Sequence, residues 1–185
     1  MTTTPLERTA TKPRDPSTRA AGVRPADPPA RGVGAPWPRW APVPLRLMLG
    51  VGFLYHGAPK LFSAAGHEQF VGMLSGIGVP LPSVMAWVVG LVETVGGLCF
   101  LIGAFVALFA ALNIVNMLVA MLTVHLPHGF NFMNITGSTE AGPQFGMPGY
   151  EVNLLYIAAL AALMLGGAGA ASLDERVRRA TVRRS

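Results

Sequence analysis

From Ser83 to Leu126 the chain runs for 44 residues with a single Asp, Glu, Lys or Arg, Glu93. At 1.5 Å per residue one helix of that length would reach roughly 66 Å, about twice the hydrocarbon thickness of a bilayer. The block therefore predicts two membrane spans joined by a tight turn near Gly103. Apolar runs at about 45–63 and 150–171 add two more, for four transmembrane helices. The connection at 64–82 is different. Phe70, Met73, Leu74 and Ile77 recur at the i, i+3, i+4, i+7 spacing of one apolar helix face, which predicts a short helix lying in the membrane interface. The connection at 127–149 is long and rich in Gly, Pro and Asn, and it reads as a loop; its Asn134-Ile135-Thr136 has the form of a glycosylation sequon. Ala86 with Gly90, and Ala107 with Ala111, form small-xxx-small pairs that let helix backbones approach closely in lipid. Residues 1–44 show no apolar periodicity.

Composition agrees with the pattern. Of 185 residues, 51% are hydrophobic and 12% charged, against the roughly 25% charged share of a soluble domain. The charges are also unevenly placed. Residues 1–46 carry eight Lys/Arg against three acids, and residues 172–185 carry five Arg against two. Between them stand one base, Lys60, and four acids, Glu68, Glu93, Glu140 and Glu151. Four spans put both basic termini on one side, and the positive-inside rule places that side in the cytoplasm. Topology accounts for the basic balance, so no nucleic-acid partner is expected.

Ten of the sixteen prolines lie in 1–44. That segment cannot bury enough apolar surface to offset its ordering entropy, and a disordered tail is expected. It has no apolar core of a signal peptide before residue 41. Trp37 and Trp40 are expected to anchor at the inner headgroups. Cys99 is the single cysteine; without a second thiol, disulfide exchange by this chain alone is not expected, and the residue reads as a small buried apolar group.

The costly residues are the polar ones inside the spans. Glu93 sits at a helix centre, where a charge costs about 2.5–3.5 kcal/mol even on a lenient scale, so it must face the bundle and find a partner. It reads either as an acid that handles protons or holds a ligand, or as an interhelical staple to Asn116 or His56. His56 and Lys60 are four apart on one face of the first span. Pro59 between them frees the carbonyl of Tyr55 and bends the helix, which predicts a small polar pocket at their level. Two tiers follow: Glu93, His56, Asn113 and Asn116 near mid-depth, and Lys60, His125 and Glu151 nearer the outer surface, with His128 beside them. Lys60 either bridges to Glu151 or snorkels to the interface. No metal motif is present, and neither metal nor haem is expected.

These residues resemble the DoxX family of small bacterial membrane proteins. The matching elements are Arg46, the HGxxKL run at His56, Gly57, Lys60 and Leu61, LVETVGG at 91–97, a third span ending at His125, GYE at 149–151, and GxGxxSLD at Gly167, Gly169, Ser172, Leu173 and Asp174. The resemblance covers about 45–175. It implies an all-α, four-helix membrane bundle in the bacterial plasma membrane. It also implies kinship with proteins linked to thiosulfate:quinone oxidoreductase, or to membrane complexes that resist oxidative and thiol stress. The expected organisation is a cytoplasmic tail at 1–44, the four-span domain at 45–175, and a basic cytoplasmic tail at 176–185.

The leading expectation is a quinone-linked subunit of a membrane oxidoreductase or oxidative-stress complex. Glu93 and His56 would be catalytic in proton transfer, and Lys60, Asn116, His125 and Glu151 would hold the quinone. Electrons would come from a partner redox protein or a soluble reductant; the other expected associate is a second copy of the chain. The rival is a non-catalytic membrane anchor or assembly subunit whose polar residues are packing staples. A small transporter is a third reading, without the broken-helix repeat that would support it.

Overall fold

A computed structural model describes residues 37–182, with Trp37 and Pro38 described in backbone alone. The tail expected to be disordered lies, for residues 1–36, outside the described residues. Residues 37–40 and 42–44, assigned to that tail, are already helical. A short helix α1 (Trp37–Trp40) leads into α2 (Pro42–Phe62), α3 (Ala64–Gly76), α4 (Pro82–Ile102), α5 (Val106–Ala120), α6 (Glu151–Gly166) and α7 (Leu173–Val182). Past α5 the chain continues through a π-helical turn, Met121–His125, and a 3₁₀ turn, Leu126–His128. The connection read as a loop contains a two-stranded antiparallel hairpin, β1 (Ile135–Thr139) and β2 (Gly142–Phe145).

The all-α class holds, with more helices than the four expected. Four longer helices form the bundle: α2 packs along α4, α4 on α5, α5 on α6, and α6 back on α2. The short α3 doubles back and packs on α2 and α4. Proline and capping chemistry set these limits. Prolines at the first positions start α2 and α4, where the missing N–H would have had no helical partner anyway. Ser63 adopts an extended backbone that ends α2 and caps α3, its Oγ accepting from Gly66 N at 3.2 Å. The expected turn near Gly103 is there. Gly103 and Phe105 both take left-handed backbone, with φ of 70° and 51°, which reverses the chain between α4 and α5.

Two segments are long and apolar enough to cross a membrane, Pro82–Ile102 and Val106–His128. The first expected span is long enough, but Arg46 and Lys60 interrupt it; the last is shortened by Gly167 to 16 residues, roughly 24 Å. Only 17% of the most apolar window of Val106–His128 is buried in the protein. Leu108, Leu112, Val115 and Leu122 face outward there, as do Trp87, Leu91 and Leu98 on α4. Lipid covers such an apolar girdle, whereas water would not tolerate it.

The half of the bundle nearer the termini is filled. Leu49, Phe53, Phe100, Val106, Ala110, Leu160 and Leu163 form the core, with Phe53 against Phe100 at 6.0 Å and edge-on to Tyr156 at 5.6 Å. A clasp closes that end. Arg46, 2% exposed, donates from Nη1 to Ala168 O at 2.7 Å and from Nη2 to Ala171 O at 3.1 Å. Asp174 accepts from Phe105 N and Val106 N at 2.8 and 3.0 Å, capping α5. The basic segment expected as a tail is largely α7, whose Glu175 binds Arg179 and Arg178; those hydrogen bonds hold its carboxyl below the usual carboxylate range.

The α2–α4 seam is built on glycine. A Cβ on Gly57 would lie 2.7 Å from both Thr94 N and Glu93 Cβ, and one on Gly97 would lie 2.9 Å from Gly50 O. Ala86 and Gly90 are buried as the small-residue reading required, but Ala107 and Ala111 face outward. The buried small residue of α5 is Ala110, because its partner α6 meets the face one residue away. Gly57→Ala should lower the thermal midpoint in detergent, at an overpacking cost of about 1–3 kcal/mol. Gly72→Ala, in open space on α3, should leave the midpoint unchanged or raise it. Equal midpoints for the two would refute the seam.

Candidate functional site

The half of the bundle opposite the termini is hollow. A cavity of about 430 Å³ lies there, lined from α2, α3, α4, α5, the π-helical turn, the approach to α6 and α6 itself. His56, Lys60, Glu93, Asn116 and His125 all line it. Five of the six site residues expected from sequence therefore meet around one space. Phe70, Met73, Leu74 and Ile77 line it too, so the apolar face of α3, expected to lie in the membrane interface, covers the cavity.

At its centre is an ion pair between Lys60 Nζ and Glu93 Oε2, with side chains 13% and 6% exposed. Asn116 Nδ2 donates to the other carboxylate oxygen at 2.9 Å. Lys60 also donates to His56 O at 2.9 Å and lies over the Phe70 ring, 4.6 Å from its centroid. One carboxylate thus ties α2, α4 and α5 together, and α3 supplies the aromatic cover. The close seam at Gly57 makes this possible, since it brings the α2 backbone against the residue that carries the acid.

Several expectations need correction. Lys60 pairs with Glu93, and neither bridges to Glu151 nor snorkels. Helical side chains lean toward their own N-terminus, so the long Lys60 side chain reaches back one turn toward mid-depth. Members of both expected tiers, Glu93, His56 and Asn116 with Lys60 and His125, meet in one site. Glu151 does not line the cavity; it accepts from Phe132 N at 3.1 Å in the first turn of α6. Asn113 is fully buried, but it donates to Phe109 O at 3.0 Å and to Val92 O at 3.5 Å, away from Glu93. His128 is exposed. The His56 ring makes no bond to Glu93. It packs edge-on to Tyr55 at 5.3 Å and is exposed on one side.

His125 reaches the cavity through the π-helical turn, whose extra residue rotates the side chains after it; such turns recur at functional sites. Its Nδ1 lies 2.9 Å from Pro148 O. That carbonyl can only accept, so the neutral ring carries its proton on Nδ1 and leaves Nε2 as an acceptor. His67, given no role by the sequence, donates from Nδ1 to Lys60 O at 2.9 Å and stacks on Trp87 at 4.4 Å. It holds the end of α2 under α3. Asn153 on α6, also given no role, lines the cavity and is 6% exposed. A lone amide in the first turn of an otherwise apolar span was its signal. Among the described residues no three His, Cys, Asp or Glu come together to hold a metal.

Residues 41–126 match the family model of DoxX. A curated relative, named "Putative oxidoreductase CatD", from Bacillus subtilis (strain 168), is 31% identical over 86 residues, which cover 46% of this chain and 60% of the relative. The matched stretch thus spans about three-fifths of the relative's length. No solved structure matches. The matched range contains His56, Lys60, Glu93, Asn116 and His125 and stops short of α6. The stretch that supplies both partners of the buried ion pair, residues 41–126, is the one that matches the DoxX family model.

Proposed function

We propose that this is a multi-pass protein of the bacterial plasma membrane, with both termini cytoplasmic, that binds a quinone headgroup as a subunit of a membrane oxidoreductase or oxidative-stress complex. The observation that carries the reading is the cavity: mostly apolar, about 430 Å³, with Lys60, Glu93, Asn116 and His125 converging on it. That volume lies within the range of small-molecule sites, and an apolar pocket with a few convergent polar groups suits such a ligand. The matched relative's name, an oxidoreductase, agrees with the class.

When bound, a quinone supplies a two-electron, two-proton acceptor, its electrons arriving from a partner protein or a soluble reductant. The chain's own residues bind, orient and move protons. The apolar walls, with Phe70 over Lys60, keep water from the head. Lys60 keeps N–H capacity beyond its bonds to Glu93 and His56 O, and directs it at a ring oxygen. Glu93 and His56 form the proton path, with His56 at the outward-facing edge where protons enter from solvent. Glu151, bonded to the Phe132 N–H, shapes the cavity's edge instead of touching the ring.

A second reading has its own observation. Both Glu93 oxygens are bonded within the protein, to Lys60 and Asn116, as a packing staple in a non-catalytic anchor subunit would require. The double variant Lys60→Met/Glu93→Gln separates the two, because it removes both charges together and so leaves no unpaired ion. On the quinone reading the variant accumulates normally, but complexes purified from native membranes in mild detergent lose quinone-linked turnover by at least ~100-fold, the scale of general acid–base catalysis. Wild-type complexes without extractable quinone, together with unchanged turnover in the variant, would reject the quinone reading.

A further inference from the structure

The geometry points to Asn153 as the anchor for the head of the cavity's ligand, and to an uncharged, lipid-soluble molecule bearing a carbonyl or hydroxyl oxygen as the ligand's class. Asn153 lies in the first turn of α6, beyond the matched segment 41–126. It is 94% shielded, lines the cavity, and its amide makes no hydrogen bond among the described residues. The contrast with the other buried amides is informative. Asn113 donates to two backbone carbonyls, although its Oδ1 is buried without a partner among the described residues, and Asn116 donates to Glu93. The Asn153 amide atoms are not among the buried ones left without a partner, so they stay open to the cavity they line, and a polar group placed there is satisfied by what fills that space. What Asn153 faces is the cavity.

Charge and donor count set the ligand's chemistry. Lys60 and Glu93 neutralise each other, so the cavity offers no net charge to a carboxylate or an ammonium. An amide carries both a donor and an acceptor. Its NH₂ can donate to a carbonyl, and its oxygen can accept from the hydroxyl that replaces that carbonyl on reduction. The same residue therefore holds both forms of a carbonyl/hydroxyl pair without itself changing protonation. His125 adds an acceptor at Nε2, which favours the hydroxyl form. The assignment rests on the quinone reading for the ligand's identity, but not for the residue's role.

The test uses full-length protein in lipid nanodiscs, comparing wild type, Asn153→Leu and Asn153→Gln. Two readouts are taken: the thermal midpoint without added ligand, and the affinity for a short-chain benzoquinone and for its quinol. Leucine removes an amide that has no partner among the described residues, so the ligand-free midpoint should hold or rise. Affinity should fall about five- to tenfold for both forms, the scale of one neutral hydrogen bond, and glutamine should restore part of it. A lower midpoint for Asn153→Leu would show that the amide serves the fold, and would overturn the assignment. Unchanged quinone affinity in Asn153→Leu would also overturn it, while leaving the quinone reading standing. If wild type binds neither form, the quinone reading fails. Asn153 is then judged by extraction of co-purified lipid-soluble molecules: an oxygen-bearing neutral species retained by wild type and lost from Asn153→Leu supports the anchor, and no difference overturns it.

Discussion

Replacing Lys60 by methionine should cost the folded protein about 3–5 kcal/mol, the penalty for leaving one member of a buried ion pair without its partner. Glu93, 6% exposed at its side chain, would keep only the Asn116 amide. The protein should accumulate poorly, and its thermal midpoint in detergent should drop sharply. Adding Glu93→Gln to the same chain should recover most of the loss, because the stranded charge is gone. This rescue is the diagnostic part. If Lys60→Met alone matches wild type in midpoint and yield, the pair is not buried as described, and the cavity loses its polar centre.

Arg46→Leu should be comparably damaging, without any such rescue. The guanidinium bridges two carbonyls 122 and 125 residues away in sequence, Ala168 and Ala171, and its charge lies near the Asp174 carboxylate that caps α5. Each charge-assisted bond contributes about 1.5–3 kcal/mol, so the combined loss from the two should be on the order of 3–6 kcal/mol. Arg46→Lys should fall in between, since one ammonium cannot reproduce a planar fork that reaches two acceptors. Limited proteolysis should find the chain near 167–174 cleaved in the leucine variant and protected in wild type. Protection in both would mean that the clasp does not hold that end.

Much of this architecture is visible in the order of apolar and polar positions. The turn at Gly103 follows from a 44-residue apolar block too long for one crossing. The inward-facing Glu93 follows from the cost of its charge. What periodicity does not supply is the rotation of each helix and the reach of each side chain. Asn113 and Asn116 are three apart and share a face, so spacing alone could not choose between them; the packing of α4 on α5 sends one to backbone carbonyls and the other to Glu93. Lys60 was placed by the depth of its Cα, but a lysine acts where its ammonium ends, a turn nearer the helix start. The hairpin at 135–145 was hidden because it lacks a recognised turn dipeptide, pairing instead around Glu140 and Ala141 with an irregular register between Ile135 and Gly137. Asn153 carries no role in the sequence, because nothing in its sequence context shows that its amide lacks a partner.

The glycine contact between α2 and α4 has one more consequence. Where main chain rests on main chain, no rotamers are available to swing aside, so this side of the binding space behaves as a fixed wall. The opposing surfaces are made of long, jointed side chains, Met73 and Met117 among them, and of the short helix α3 held by a few polar bonds. On the proposed quinone reading, a guest molecule of changing size would therefore be accommodated from that softer side, while the carboxylate and the ammonium keep their places.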